Sequence, residues 1–129
     1  MNVPDYALLY VDDPRRSAAF YGRLLGLQPV EAAPTFCLLV LGERLKLGLW
    51  KRDDVTPAPS ARGGGGELAI TVKDEARVNA LHAEWTASGV PVVQPPKRLD
   101  FGFSFVVQDP DGHRLRVMTL DGTGDPPAG

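Results

Sequence analysis

The sequence predicts an α+β fold in which two copies of a β-α-β-β-β module form curved mixed sheets around a cavity. Three observations predict it: an internal repeat, alternating strands with two chemically different faces, and helix boundary signals at matching places in both copies. Leu8 to Val30 reads LLYVDDPRRSAAFYGRLLGLQPV, and Leu68 to Val93 reads LAITVKDEARVNALHAEWTASGVPVV. Each begins with an alternating strand that ends in Val, at Val11 and Val72.

The elements follow in order. Asp12-Asp13-Pro14 in the first copy and Asp74-Glu75 in the second suit a helix N-terminus, because short acidic side chains accept from free backbone N–H groups and Pro has none to lose. Phe20 and Leu24 mark the apolar stripe of the first helix, and Val78, Leu81 and Trp85 that of the second, which makes Trp85 a core residue. His82 beside that stripe reads as a partly exposed surface residue. Gly26 and Gly89 suit the C-terminal caps, and each is followed by a short strand. Phe36 to Leu41 then corresponds to Phe101 to Val107, and Arg44 to Trp50 corresponds to Arg114 to Leu120.

The modules span about 4–50 and 66–120 of one domain, 1–120. Between them, 51–65 holds Pro, Ser and a run of Gly, which predicts a flexible linker. Its glycines are not followed by Lys-Ser or Lys-Thr, so it is not a phosphate loop. A flexible tail is expected over 121–129.

Composition excludes several classes of function. The net charge is −2, which leaves no basic stripe for nucleic acid. No run of 18 apolar residues occurs and the N-terminus lacks the pattern of a secretory signal, so a cytoplasmic protein without a membrane partner is expected. The single cysteine, Cys37, lies in an apolar run and reads as a buried, inert thiol.

Strand alternation separates two faces. Leu45, Leu47 and Leu49 oppose Lys46, Gly48 and Trp50; Leu68, Ile70 and Val72 oppose Glu67, Ala69 and Thr71; Leu115 and Val117 oppose Arg114, Arg116 and Met118. The aliphatic faces are expected under the helices. The mixed faces, which also hold Tyr6 and Tyr10, combine aromatic and polar groups as the wall of a small-molecule cavity does.

Two stretches resemble the vicinal oxygen chelate superfamily of glyoxalases, extradiol dioxygenases and bleomycin-resistance-type proteins. One is the early strand, Asp turn and helix with Ser17, Phe20 and Tyr21; the other is Asp109-Pro110-Asp111-Gly112 before the last strand, where Asp111-Gly112 reads as a hairpin turn. Metal-dependent members carry four ligands, and the resemblance places those positions at Tyr6, near Gly48, at Glu67 and at Arg116. A guanidinium among the donors repels a divalent ion, so no metal and no other cofactor is expected. Glu67 and Arg116 are expected to pair instead, with Arg116 either anchoring a ligand carboxylate or filling space.

The pattern is most similar to drug-sequestering members, those for phenazine resistance in particular, through Leu8, Tyr10 and Val11, Trp50, Glu84 and Trp85, Phe101 and Gly102, and Asp109 to His113. That resemblance implies a homodimer holding a planar aromatic ligand, with Trp50 as stacking platform or, alternatively, as cover for the core. The expected binding residues are Trp50, Tyr6, Gly48, Glu67, Arg116, Met118 and Phe101, with no catalytic residue. The alternative is an enzyme of the same fold, a lyase, isomerase or dioxygenase, with Glu67 as base or Tyr6 as acid. A Glu whose lone pairs are held by an Arg makes a poor proton acceptor, which disfavours that role. An interaction protein without either activity is also open.

Overall fold

The computed structural model describes residues 3–121. The expected tail therefore lies outside the described residues from position 122 onward. The chain divides into unit 1, Met1–Gly63, and unit 2, Gly64–Gly129.

In unit 1, β1 (Tyr6–Val11) leads into α1 (Pro14–Leu25), followed by β2 (Glu31–Ala32), β3 (Phe36–Val40) and β4 (Lys46–Lys51). The sheet order is β1-β4-β3-β2, with β1 parallel to β4 and the other pairs antiparallel. In unit 2, β5 (Glu67–Thr71), α2 (Glu75–Ala87), β6 (Val92–Leu99), β7 (Gly102–Gln108) and β8 (Arg114–Leu120) give the equivalent order β5-β8-β7-β6. Two four-stranded mixed sheets, each with one helix, are the α+β architecture that the repeat predicts.

The helix boundaries fall where capping chemistry requires. Asp13 accepts from the backbone N–H groups of Arg15 and Arg16 at 3.1 and 3.3 Å, Pro14 occupies the first turn, and Gly26 closes α1 in the left-handed region. Asp74 accepts from Arg77 N–H at 2.8 Å at the start of α2. The buried side of α1 comprises Pro14, Ser17, Ala18, Phe20 and Tyr21, packed on β3 and β4. Tyr21 is wholly buried whereas Leu24 is only half-buried, so the stripe lies closer to the helix N-terminus than Phe20 and Leu24 suggest. Under α2, Trp85 and His82 both meet the Phe105 ring edge-to-face, with centroids at 5.5 and 5.3 Å. Trp85 is core and His82 is half-buried, as expected.

Several boundaries differ from the expectation: β5 ends at Thr71 and β3 at Val40, one residue short of Val72 and Leu41. Leu45 is not part of the aliphatic face: it precedes β4 and is exposed, while Leu47 and Leu49 are fully buried. Lys51, assigned above to the linker, closes β4 opposite Val11. Beyond it Arg52–Asp54 forms a 3-10 turn, Val55 is buried, and Arg52 donates to the Ala61 carbonyl at 2.8 Å. Asp121, assigned to the tail, is tied down by its backbone N–H to the Phe101 carbonyl and by an ion pair with Arg98.

The two copies also diverge. The strand after α1 has two residues, while β6 has eight and runs through Pro95-Pro96. An edge strand tolerates Pro because one row of its amides has no partner, and the register against β7 shifts on either side of Gln94.

Candidate functional site

The registers of β1, β3 and β4 assign their side chains to two faces. In unit 1, Tyr6, Leu8 and Tyr10 lie opposite Lys46, Gly48 and Trp50, which in turn lie opposite Val40, Leu38 and Phe36. Val11, Cys37, Leu39, Leu47 and Leu49 form the other face and are buried. The mixed face is therefore largely apolar and aromatic. It is also open: Tyr6 and Leu8 are 46% and 45% exposed. Trp50 is half-buried and meets Tyr10 edge-to-face, centroids 6.2 Å apart and planes at 78°. Lys46 Nζ stands 5.1 Å from the centre of the Tyr6 ring.

Gly48 has a different place from the one expected. It is buried, and a Cβ there would lie 2.5 Å from Leu8 Cδ2 and 2.9 Å from Phe36 Cζ. Leu8 and Phe36 lean over the glycine, so they form the surface at the centre of the face and Gly48 does not. Sequence reasoning missed both. The signal was present, since Leu8 alternates with Tyr6 and Tyr10, but only the strand register brings Phe36 to the same place.

In unit 2, Glu67 and Arg116 pair as expected, although not directly opposite each other. Arg116 is in register with Ala69, and Glu67 with Arg114. The guanidinium reaches one step diagonally, donating through Nε to Oε1 at 2.6 Å and through Nη2 to Oε2 at 3.3 Å. Its Nη1 donates to the buried Ser104 hydroxyl at 2.9 Å, and its Cζ lies 5.8 Å from the centre of the Phe101 ring. Ser104 was not foreseen, and nothing in the local pattern marks it. Met118 lies opposite Ser104 and is half-buried, while Phe101 sits in the turn before β7. Arg116 thus has a donor committed on each of its three nitrogens.

Cys37 is fully buried, contacts the Ala33 carbonyl through Sγ at 3.6 Å, and has its pKa raised chiefly by burial. It is an unreactive thiol by environment.

The glyoxalase/bleomycin resistance protein/dioxygenase superfamily model matches residues 3–117, nearly the whole of both modules. The chain belongs to this superfamily. It is 29% identical over 121 residues to the phenazine antibiotic resistance protein EhpR of Enterobacter agglomerans, covering 92% of each chain. Among solved structures, a protein from Agrobacterium tumefaciens shares 51% identity at a TM-score of 0.86, covering 95% of this chain and all of that one. A glyoxalase-related enzyme from Fulvimarina pelagi shares 28% identity at a TM-score of 0.79, covering 92% and 88%.

The donors at the positions that the superfamily resemblance assigns to a metal do not fit a divalent ion. Gly48 has no side chain, Arg116 is a cation, and both Glu67 oxygens are engaged by Arg116. Among the described residues no group of three or more His, Cys, Asp or Glu side chains is placed to hold a metal.

Proposed function

We propose that the protein binds a planar aromatic small molecule, an antibiotic or a metabolite, and protects the cell by sequestering it without a metal. The Tyr10–Trp50 pair on the open face of unit 1 carries this proposal. Its two rings are held at right angles, and the neighbouring Tyr6, Leu8 and Val40 expose apolar surface to which a flat ligand can bind. Aromatic contact of this kind adds about 0.5–1.5 kcal/mol beyond the area buried. The identity with a phenazine resistance protein over most of both chains supports the same ligand class. In this proposal the protein acts in the cytoplasm as a homodimer, which light scattering on the eluting peak tests by giving twice the monomer mass.

Tryptophan fluorescence supplies the main experiment. Phenazine should quench it, and Trp50→Ala should remove that response while Trp85, buried in unit 2, continues to emit. Unchanged quenching in Trp50→Ala would show that the platform lies elsewhere. Stoichiometric zinc, nickel, manganese or iron that survives dialysis would overturn metal independence.

A second function has one observation in its favour, the 28% identity with a glyoxalase-related enzyme. Recovering the ligand unaltered after prolonged incubation, judged by mass spectrometry, separates sequestration from turnover.

A further inference from the structure

We infer that Lys46 makes the open face of unit 1 selective for anionic planar aromatic ligands, carboxylates above all. This rests on the proposal that the face binds such molecules, and it adds which of them are preferred.

Lys46, Gly48 and Trp50 alternate along β4 and project to one face, so the lysine and the tryptophan stand about 13 Å apart along the strand. That is the span of a fused tricyclic ring with a short acidic substituent. Between them lies the apolar surface of Leu8 and Phe36 over Gly48, which offers no polar group to compete for the ligand. Lys46 is half-buried and its ammonium stands by the Tyr6 ring, whose electron-rich face attracts a cation.

No described carboxylate forms an ion pair with Lys46. Asp5, Glu43 and Arg44 line with it a cavity of about 290 Å³ at that end of β4, and Glu31 lies on the two-residue edge strand β2, in register with Leu38. Among the described residues, none of these acids comes within ion-pair distance of its ammonium, although Asp5 is a close neighbour whose carbonyl accepts from the Lys46 backbone N–H. A partly buried cation that contacts an aromatic ring and forms no ion pair among the described residues has capacity for an anion, and a charge-assisted hydrogen bond to a ligand carboxylate would fill it. By contrast, Arg116 in unit 2 already has donors engaged by Glu67 and Ser104.

The experiment compares phenazine with phenazine-1-carboxylate by tryptophan quenching at low salt, in the wild-type chain, Lys46→Met and Lys46→Arg. The wild type should bind the carboxylate about tenfold more tightly than the neutral compound. Lys46→Met should lose that preference while keeping its affinity for phenazine, and Lys46→Arg should keep the preference. Near-ultraviolet circular dichroism confirms that the variants retain their aromatic packing. Equal wild-type affinities, or a preference that persists in Lys46→Met, would overturn the role of Lys46 and leave aromatic binding intact. Failure of either compound to bind the wild type would overturn the aromatic-ligand proposal itself, and this inference with it.

Discussion

The Arg116 guanidinium and the Glu67 carboxylate meet through two hydrogen bonds, at 2.6 and 3.3 Å, with a third from Arg116 to Ser104. The Arg116 side chain is 16% exposed and that of Glu67 is 32%, so the guanidinium is largely withdrawn from water while the carboxylate stays partly in it. Glu67→Gln or Arg116→Met alone should therefore destabilise the fold by roughly 1–3 kcal/mol, since each leaves a partner charge partly buried. The double variant should recover part of that loss. Urea denaturation of the four proteins measures the coupling, and additive losses would show that the pair contributes nothing as a unit.

Asp109 organises the hairpin between β7 and β8. It is buried, and its Oδ1 accepts from Asp111 N–H at 2.8 Å and His113 N–H at 2.9 Å. The backbone closes around it, with Gly112 N–H bonded to the Asp109 carbonyl and Gly112 at φ 85°. This is a type I turn completed by a left-handed glycine, wider than a two-residue turn at Asp111-Gly112. Asp109→Ala should cost roughly 1–3 kcal/mol by leaving two amides without their acceptor, and Asp109→Asn less. Thermal denaturation reads the difference.

Gly48→Ala tests the close approach at the centre of the unit 1 face. The added methyl would collide with Leu8 and Phe36, so a loss of about 1–3 kcal/mol is expected. Adding Leu8→Ala should relieve part of it in a two-variant cycle.

Cys37 predicts a pH dependence. Burial raises the thiol above its ordinary value, so the folded state holds the proton more tightly than the unfolded chain does. That contribution is fully present below the unfolded value and declines as pH rises from there toward the folded value. Cys37→Ala should flatten this part of the stability–pH curve. The native thiol should also react with a disulfide reagent far more slowly than the urea-unfolded chain; equal rates would place it at the surface.

Much of the architecture was legible in the residues. Asp13-Pro14, Asp74 and Gly26 act through backbone groups a few positions away, so their roles as caps show in sequence; α2 is capped by Ser88, with Gly89 in the left-handed region just after it. Alternation likewise separated Leu47 and Leu49 from Lys46 and Trp50. Leu45 was misassigned because alternation has no marker for where a strand begins. Pro95-Pro96 obscured the length of β6 because a lone strand does not reveal which of its amides lack partners.

By itself, then, the sequence determined the repeated β-α-β-β-β order, the helix ends and the two faces of each strand, all consequences of local period and local hydrogen bonding. Only the tertiary structure decided that Arg116 reaches Glu67 on the diagonal and Ser104 on a third strand. It alone put Leu8 and Phe36 over Gly48. Those outcomes depend on strand register and on the reach of long side chains between strands far apart in the chain, which no local pattern records.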